Sequence, residues 1–408
     1  MDNSTLKTEL KIVIVGGGAA GFFSAINIAI NQPEAQIMLL EKSSKLLNKV
    51  IISGGGRCNV TNGREEPGVL TQFYPRGQKK IHKLFERFGT KEMIQWLEIR
   101  GVKTKTEPDL RVFPVTDSSK TISDCLLNEA IKYNVAIKTN EAVLSINQSS
   151  GHWNIKTTKS EYLADKLVWS TGSSEASWKI LDQLGLKRNL GVPSLFTFNI
   201  HDERLRGLMG VSFPNVGIKI AGTKLEETGP MLITHWGLSG PAVLKLSAWG
   251  AREIAEKNYV FSAIVNFTST KTYQELMEWF EAIKANNPTK KVKNVRLEWV
   301  SRSYEEMLYA FIGIGDKNAG ELTKKDIQKL SEELTQARFE VNGKSTFKEE
   351  FVTCGGIDLS EINLETFECK NYPGLYLAGE AIDIDALTGG FNFQACWSAG
   401  WVIGQSVH

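Results

Sequence analysis

The sequence predicts an α/β fold in which a Rossmann-like, nucleotide-binding domain is discontinuous, with residues 191–350 inserted between its two parts. Three observations predict it. A strand, a glycine turn, a helix and a second strand follow one another within residues 11–41. Beyond Gly191 the texture changes to short alternating runs. From Gly374 onward the opening texture returns, as a buried apolar run that ends in glycine. A chain of 408 residues also exceeds what one hydrophobic core ordinarily organises, so two or three domains are expected.

Lys11-Ile-Val-Ile-Val15 is short, β-branched and stops at three glycines, as a strand buried in a parallel sheet does. Ala19 to Asn31 follows with helical composition and no proline. Gln36-Ile-Met-Leu-Leu40 is a second buried strand, which completes a βαβ unit. Next come a glycine-rich loop, Ser53 to Asn59, and a helix-like stretch from Gln78 to Ile99. Alternating runs around Val135–Ile146 and Trp153–Thr158 read as antiparallel, and Lys166-Leu-Val-Trp-Ser170 as another buried strand. Phe196–Ile200 and Val216–Ile220 read as strands of a mainly β module. Helical patterns occupy Tyr273–Ala285, Tyr304–Ile312 and Lys324–Ala337. Gly374-Leu-Tyr-Leu-Ala378 is again a buried strand, and a helix runs from the Gly389-Gly390 turn to about Val407.

Composition narrows the class. With 42% hydrophobic and 23% charged residues and a net charge of +2, the chain reads as an ordinary globular protein with no bias toward a polyanion. No apolar stretch approaches the roughly 18–20 residues that span a bilayer, so no membrane partner is expected. The leader, Met1 to Leu10, carries Asp2, Lys7 and Glu9 and lacks the apolar core of a secretory signal. Five dispersed cysteines, 58, 125, 354, 369 and 396, have neither Cys-x-x-Cys nor zinc spacing. Reduced thiols, a cytoplasmic location and no metal are therefore expected.

Gly16-x-Gly18-x-x-Gly21 is the first chemistry-bearing motif. Gly16 permits the tight turn, Gly18 lets backbone approach a pyrophosphate, and Gly21 allows close helix–strand packing. The helix that Ala19 and Ala20 open offers free N–H groups and a partial positive charge. Glu41, twenty residues after Gly21, is placed to accept hydrogen bonds from an adenosine ribose. Its carboxylate disfavours a 2′-phosphate, an inference that the neighbouring Lys42 weakens slightly.

Two further segments choose among dinucleotides. In Ser53-Gly54-Gly55-Gly56-Arg57-Cys58-Asn59 the backbone can lie flat against a planar ligand, with Arg57 and Asn59 as donors. In Gly379-Glu380-x-x-Asp383 and Gly389-Gly390-Phe391-Asn392, Asp383 is placed for ribityl hydroxyls. The helix after Gly390 can aim its positive end at a flavin pyrimidine ring. Together they point to FAD.

VGGGAAG (15–21), SGGGRCNVTN (53–62), THWGLSGPA (234–242) and CGGIDL…PGLYLAGEAIDIDALTGGFNFQACWSAG (354–400) resemble the HI0933-like flavoproteins, which include NAD(P)/FAD-dependent oxidoreductases and aminoacetone-oxidase-type enzymes. The resemblance runs from Ile12 to Gly404. It implies an FAD domain of residues 1–190 and 351–408, an inserted β-rich domain of 191–270 and 337–350, and a small helical domain of 271–336. It also implies that Lys49 and the 53–59 loop lie near the flavin and that Val143 gives backbone contact to adenine. Thr171 and Gly172 would pass close to the cofactor, and Gly379, Asp383, Gly390, Phe391 and Asn392 would line its ribityl–isoalloxazine side. The chain departs from the family at STGSSEASW (170–178), where an ATGG-type stretch is usual, and at Cys354, where Ala is usual.

Catalytic groups are not identified by sequence. Arg57 reads equally as an anchor for a substrate carboxylate or reduced flavin and as a loop-fixing ion pair. His235 is an acid–base candidate, but Ser239-Gly240-Pro241 reads as the start of a helix that this motif builds. Cys58 reads as a packed, inert thiol. The basic run Lys290 to Arg296 reads as a solvated face, so nucleic acid is not an expected partner. Gly313-Ile-Gly315 lacks the third glycine of a second fingerprint. One fingerprint and no paired cysteines leave hydride transfer between flavin N5 and a small organic substrate, with NAD(P)H as a transient donor in one version. The alternatives are oxidation of a small amine by oxygen and an FAD-bound RNA-binding or regulatory protein. Oligomeric state is not read from the sequence.

Overall fold

The computed structural model describes residues 9–345 and 352–408. The leader as far as Thr8 and the expected boundary at 350/351 lie outside the described residues. The chain divides into two compact units, Met1–Val192 with Lys348–His408 and Pro193–Phe347.

The first unit is organised by a seven-stranded sheet in the order Ile362–Asn363, Glu368–Cys369, Leu375–Leu377, Lys166–Trp169, Lys11–Val15, Gln36–Leu40, Ala136–Lys138. The last five of these run parallel. Val15 pairs with both Trp169 and Leu40, and Trp169 with Leu377, so four strands end at one level. Their carboxyl ends are followed by Gly16, Glu41, Ser170 and Ala378. Open parallel sheets bind ligands there, where the strand order reverses.

Two helices, Ala19–Asn31 and Phe391–Ser406, join the ends of the chain. A Cβ at Gly400 would lie 2.9 Å from the Ser24 nitrogen, and one at Gly404 would overlap the Asn27 Cβ. Only hydrogen at those positions lets the backbones come this close. Asn31 Nδ2 donates to the Gly404 carbonyl at 2.9 Å, and Gln32 Nε2 to that of Val407 at 3.2 Å. The helix faces are mainly apolar where they meet, with Phe22, Phe23, Ile26, Trp397 and Ile403 buried beside Ser24 and Asn27.

Two expectations need correction here. The 135–146 stretch is not one antiparallel run. Ala136–Lys138 joins the parallel sheet beside Gln36–Leu40, because the helix Ser119–Lys132 carries the chain back over the sheet first. Only Val143–Ser149 is antiparallel, paired with His152–Thr157. Gln78–Ile99 is likewise not one helix but two, His82–Arg87 and Thr90–Glu98. Gly89 divides them: a Cβ there would crowd the Phe85 carbonyl, and its N–H is taken by Glu92 Oε2 at 2.8 Å, which caps the second helix.

The second unit is a closed antiparallel barrel of six strands: Thr197–Ile200, Gly237–Ser239, Glu226–Thr234, Ser212–Ile220, Val260–Asn266 and Ala337–Ser345. Closure removes the exposed edges that an open sheet would present. Helices Tyr273–Asn286, Arg302–Ile312 and Lys324–Thr335 share the barrel's core. Tyr304 packs on Phe267 and Phe213 with ring centroids 4.5 and 5.2 Å apart. Burial of each such ring is worth about 2 kcal/mol, so these contacts hold the helix Arg302–Ile312 to the barrel. Pro241 opens the helix Pro241–Trp249 at its first turn, as Ser239-Gly240-Pro241 predicts. Gly313 is the left-handed stop of Arg302–Ile312, which explains that glycine without a second nucleotide site.

Candidate functional site

The turn after the first strand is built by close approach. Gly16 has φ +109°, and a Cβ on it would overlap the Ser170 carbonyl. A Cβ on Gly21 would overlap the Gly16 carbonyl, so the helix can start against the strand only without side chains there. Ser170 Oγ bonds the Val15 carbonyl at 2.9 Å beneath the same turn. Gly18 differs from both neighbours. A Cβ on it would meet nothing within 4 Å, and Gly18 caps the helix without a side-chain bond. The first turn, with Ala19 and Ala20, carries no acidic residue, so its N–H groups and dipole are uncompensated. A side-chain-free, electropositive helix end open on one side fits a pyrophosphate.

Glu41 follows the second strand beside this turn. Its Oε2 accepts the Gly17 N–H at 2.9 Å and its Oε1 the Ser43 N–H at 2.8 Å. Both oxygens are oriented by backbone and retain lone pairs for a diol. Lys42 is exposed. Glu141, to which sequence reasoning gave no role, donates its backbone N–H to the Glu41 carbonyl at 2.9 Å. Its buried carboxylate accepts from Thr157 and Tyr162, and these bonds hold its pKa below the ordinary value despite burial. Val143 lies two residues on, at the start of its strand.

The glycine loop is a helix that breaks. Asn48–Gly56 begins helically, but Ser53, Gly54 and Gly55 leave helical geometry. Gly55 and Gly56 are exposed, and a Cβ on either would meet nothing within 4 Å. Arg57, the next residue, is held by two carboxylates. Its guanidinium pairs with Glu107 and Asp117, with Nε to Asp117 Oδ1 at 2.9 Å, and lies 3.9 Å from the Phe113 ring centroid. The Glu107 and Asp117 carboxylates raise its pKa further. Cys58 is fully buried, and burial pushes its thiol up to about 12.

Asn59 stitches the loop to the far end of the chain. Its amide is assigned from the hydrogen-bond network: Nδ2 donates to the Thr61 carbonyl at 2.9 Å and Oδ1 accepts the Gly390 N–H at 2.9 Å. Asn62, a second residue given no role from sequence, donates to the Gly389 carbonyl at 2.9 Å. Gly390, with φ +89°, lies so close that a Cβ would overlap the Thr61 carbonyl. Phe391 is buried and stacks on Phe73 at 4.4 Å.

The remaining residues meet near the ends of the parallel strands. Glu380 pairs with Lys49, and its Oε2 also accepts from Ser173 Oγ at 3.4 Å and sits 3.7 Å from a Cβ built on Gly172. Thr171 bonds Ser177, whose Oγ accepts the Trp169 indole N–H at 2.9 Å, so the divergent 170–178 segment is folded back on itself. Gly379, Glu380, Asn392 and Cys396 line one cleft. Asp383 accepts from Asn189 Nδ2 at 2.8 Å. Asn392 bonds the Ala386 N–H and carbonyl at 2.9 and 3.0 Å, which closes the 386–392 loop. His235 belongs to the second unit, exposed at the hairpin between two barrel strands.

Open glycines at the helix start and in the 53–59 loop and a doubly oriented Glu41 fit FAD. Among the described residues no cluster could hold a metal, and no helix is long and apolar enough to cross a membrane.

Comparison with known proteins agrees with this architecture. Residues 10–406 match the model of the HI0933-like protein Rossmann domain. The chain is 30% identical over 97% of its length, and 97% of the relative's, to a ribosomal RNA dihydrouridine synthase of Escherichia coli (strain K12). It is 24% identical over 97% of its length, and 98% of the relative's, to a 3-dehydro-bile acid delta(4,6)-reductase of Clostridium scindens. A solved 3-ketosteroid-delta4-(5alpha)-dehydrogenase from Rhodococcus jostii RHA1 shares the fold, with TM-score 0.51, 13% identity and 99% of each chain covered.

Proposed function

The chain belongs to the HI0933-like Rossmann-domain family and is an FAD-dependent oxidoreductase, and from that premise we propose that it is a reductase of carbon–carbon double bonds conjugated to a carbonyl, with a uracil base of ribosomal RNA as substrate. The observation that carries this reading is the reaction class shared by two relatives of nearly full length. A dihydrouridine synthase and a delta(4,6)-reductase act on unrelated molecules, yet each name describes saturation of such a bond. The RNA substrate follows the 30% identical relative and revises the expectation that nucleic acid is not a partner.

In this reading the amide groups of Ala19 to Gly21 hold the pyrophosphate. Glu41 takes the adenosine ribose, with Val143 on adenine. Ser53 to Asn59 and Gly379 to Asn392 take the flavin side, with Thr171 and Gly172 alongside. FAD held there would supply hydride chemistry at its N5 when reduced. Saturation would place hydride on the β-carbon and a solvent-derived proton on the α-carbon, with NAD(P)H as the two-electron donor of this reading. Arg57 acts on the glycine loop through Glu107 and Asp117. The FAD domain is residues 1–190 with 351–408; residues 191–270 with 337–350 and the helical 271–336 complete the chain.

Anaerobic mixing of the yellow holoprotein with NADH, NADPH or a small amine tests the reductase reading. Bleaching of the flavin by a nicotinamide within seconds is expected, with none by amines. Bleaching by an amine alone would replace the reductase by an oxidase.

A further inference from the structure

The motif Thr234-His235-Trp236-Gly237 has no part in the cofactor reading above, and its surroundings point to a use of their own. Trp236 is 45% exposed and Met209 69% exposed, and both lie on connections outside the barrel strands. The two rings of His235 and Trp236 lie 4.5 Å apart at 44°, at the tip of a hairpin. Strand register brings further residues to that rim. Ile200 N–H donates to the Trp236 carbonyl at 2.8 Å, so the exposed His201 follows beside His235. Gly210 N–H donates to the Ile233 carbonyl at 2.9 Å, which sets Met209 at the same end of the strand. Arg206 stands on the connecting segment. It is exposed, and its guanidinium makes no ion pair among the described residues, whereas Arg204 nearby is committed to Asp202 and Glu333.

We propose that this rim is a docking surface for single-stranded RNA, with Trp236 and His235 as a stacking platform for an unpaired base and Arg206 as a phosphate contact. The inference rests on the RNA-substrate reading above and deepens it. An exposed ring pair is what an unstacked base needs, since every base has a π-face. An unpaired arginine on the same rim supplies the charge complementarity that a phosphate requires and an apolar protein partner does not. The basic run at 290–296 is a weaker candidate, because Lys291 and Lys293 are held by Asp316 and Arg296 by Glu305.

The test uses FAD-loaded protein and a fluorescein-labelled, uridine-containing single-stranded RNA 12-mer, about the site size of such surfaces, followed by anisotropy at low salt. Trp236→Ala is expected to weaken binding roughly tenfold to a hundredfold, and Trp236→Phe much less. Arg206→Ala is expected to lower the slope of log affinity against log salt by about 1. Equal flavin content and melting temperature exclude misfolding, and Trp236→Phe keeps the test open if the alanine variant fails to fold. Wild-type binding unchanged by all three substitutions would overturn the rim assignment and leave the RNA reading standing. No RNA binding by the wild type would overturn both. Unchanged RNA affinity with lost binding to intact ribosomes would assign the rim to a protein partner and overturn the proposal.

Discussion

Gly404 meets Asn27 so closely that a Cβ on the glycine would overlap the Cβ of the asparagine. This contact joins the last helix of the chain to the first. The helix carrying the glycine fingerprint and the helix following Gly390 are thereby fixed against one another. An alanine at 404 gains about 1 kcal/mol of helix propensity but must force two backbones apart, which costs about 1–3 kcal/mol or more. Gly404→Ala is expected to lower the melting temperature by several degrees and to release FAD during heating, checked by following protein and flavin fluorescence together.

Gly18 and Gly21 separate ligand space from packing space. Gly18→Ala puts its methyl into open space, so the apoprotein should melt as wild type while FAD affinity falls at least tenfold. Gly21→Ala overlaps the Gly16 carbonyl and should destabilise the apoprotein itself by about 2 kcal/mol or more. Thermal melts of the stripped proteins and flavin titrations distinguish the two. Equal effects from both substitutions would remove Gly18 from the cofactor surface.

Cys58 sits inside the glycine loop, where a reactive thiol would suggest flavin-linked chemistry. Burial pushes it up to about 12, so at pH 8 only about one thiol in ten thousand is ionised. Iodoacetamide should leave Cys58 unmodified in the native protein for hours and alkylate it promptly after denaturation, as read by peptide mass. Rapid native alkylation would contradict an inert thiol.

Asp358 gives the FAD domain a defined acid response. The backbone N–H of Ser360 bonds its carboxylate, Asn189 Nδ2 donates to it at 2.9 Å and Lys187 lies nearby, which hold its pKa well below the usual carboxylate range. A carboxylate depressed in the folded state stabilises above its unfolded pKa of about 3.9, and that contribution is lost as pH falls below it. Asp358→Asn should therefore melt lower than wild type at pH 7, with the gap narrowing progressively as pH falls below about 4. A gap independent of pH would assign the effect to packing.

The sheet and the cradle were legible because their physics is local. A β-branched run that stops at Gly16, a helix without proline, and an acidic residue after Leu40 each state their geometry within a few residues. The corrections lie where distant partners decide. Ala136–Lys138 is three residues long, and its direction depends on the strand beside it, which no alternation pattern encodes. The break at Gly89 needed the Phe85 carbonyl to be in place. Asn59, Asn62 and Asn392 carry the same limit, since each bonds backbone that its own sequence neighbourhood does not identify. The pairing of Arg57 with Glu107 and Asp117 joins residues 50 and 60 positions apart, so neither reading of that arginine was decidable from the loop alone.

The proposed saturation of a carbonyl-conjugated double bond in ribosomal RNA is tested most directly by a single turnover. Holoprotein reduced under anaerobic conditions is mixed with unmodified ribosomal RNA transcript. Flavin reoxidation is followed by absorbance and dihydrouridine by nucleoside mass spectrometry. Reoxidation with one dihydrouridine formed per flavin is expected. Flavin that stays reduced with the transcript, yet is reoxidised at once by oxygen after reduction with an amine, would contradict it.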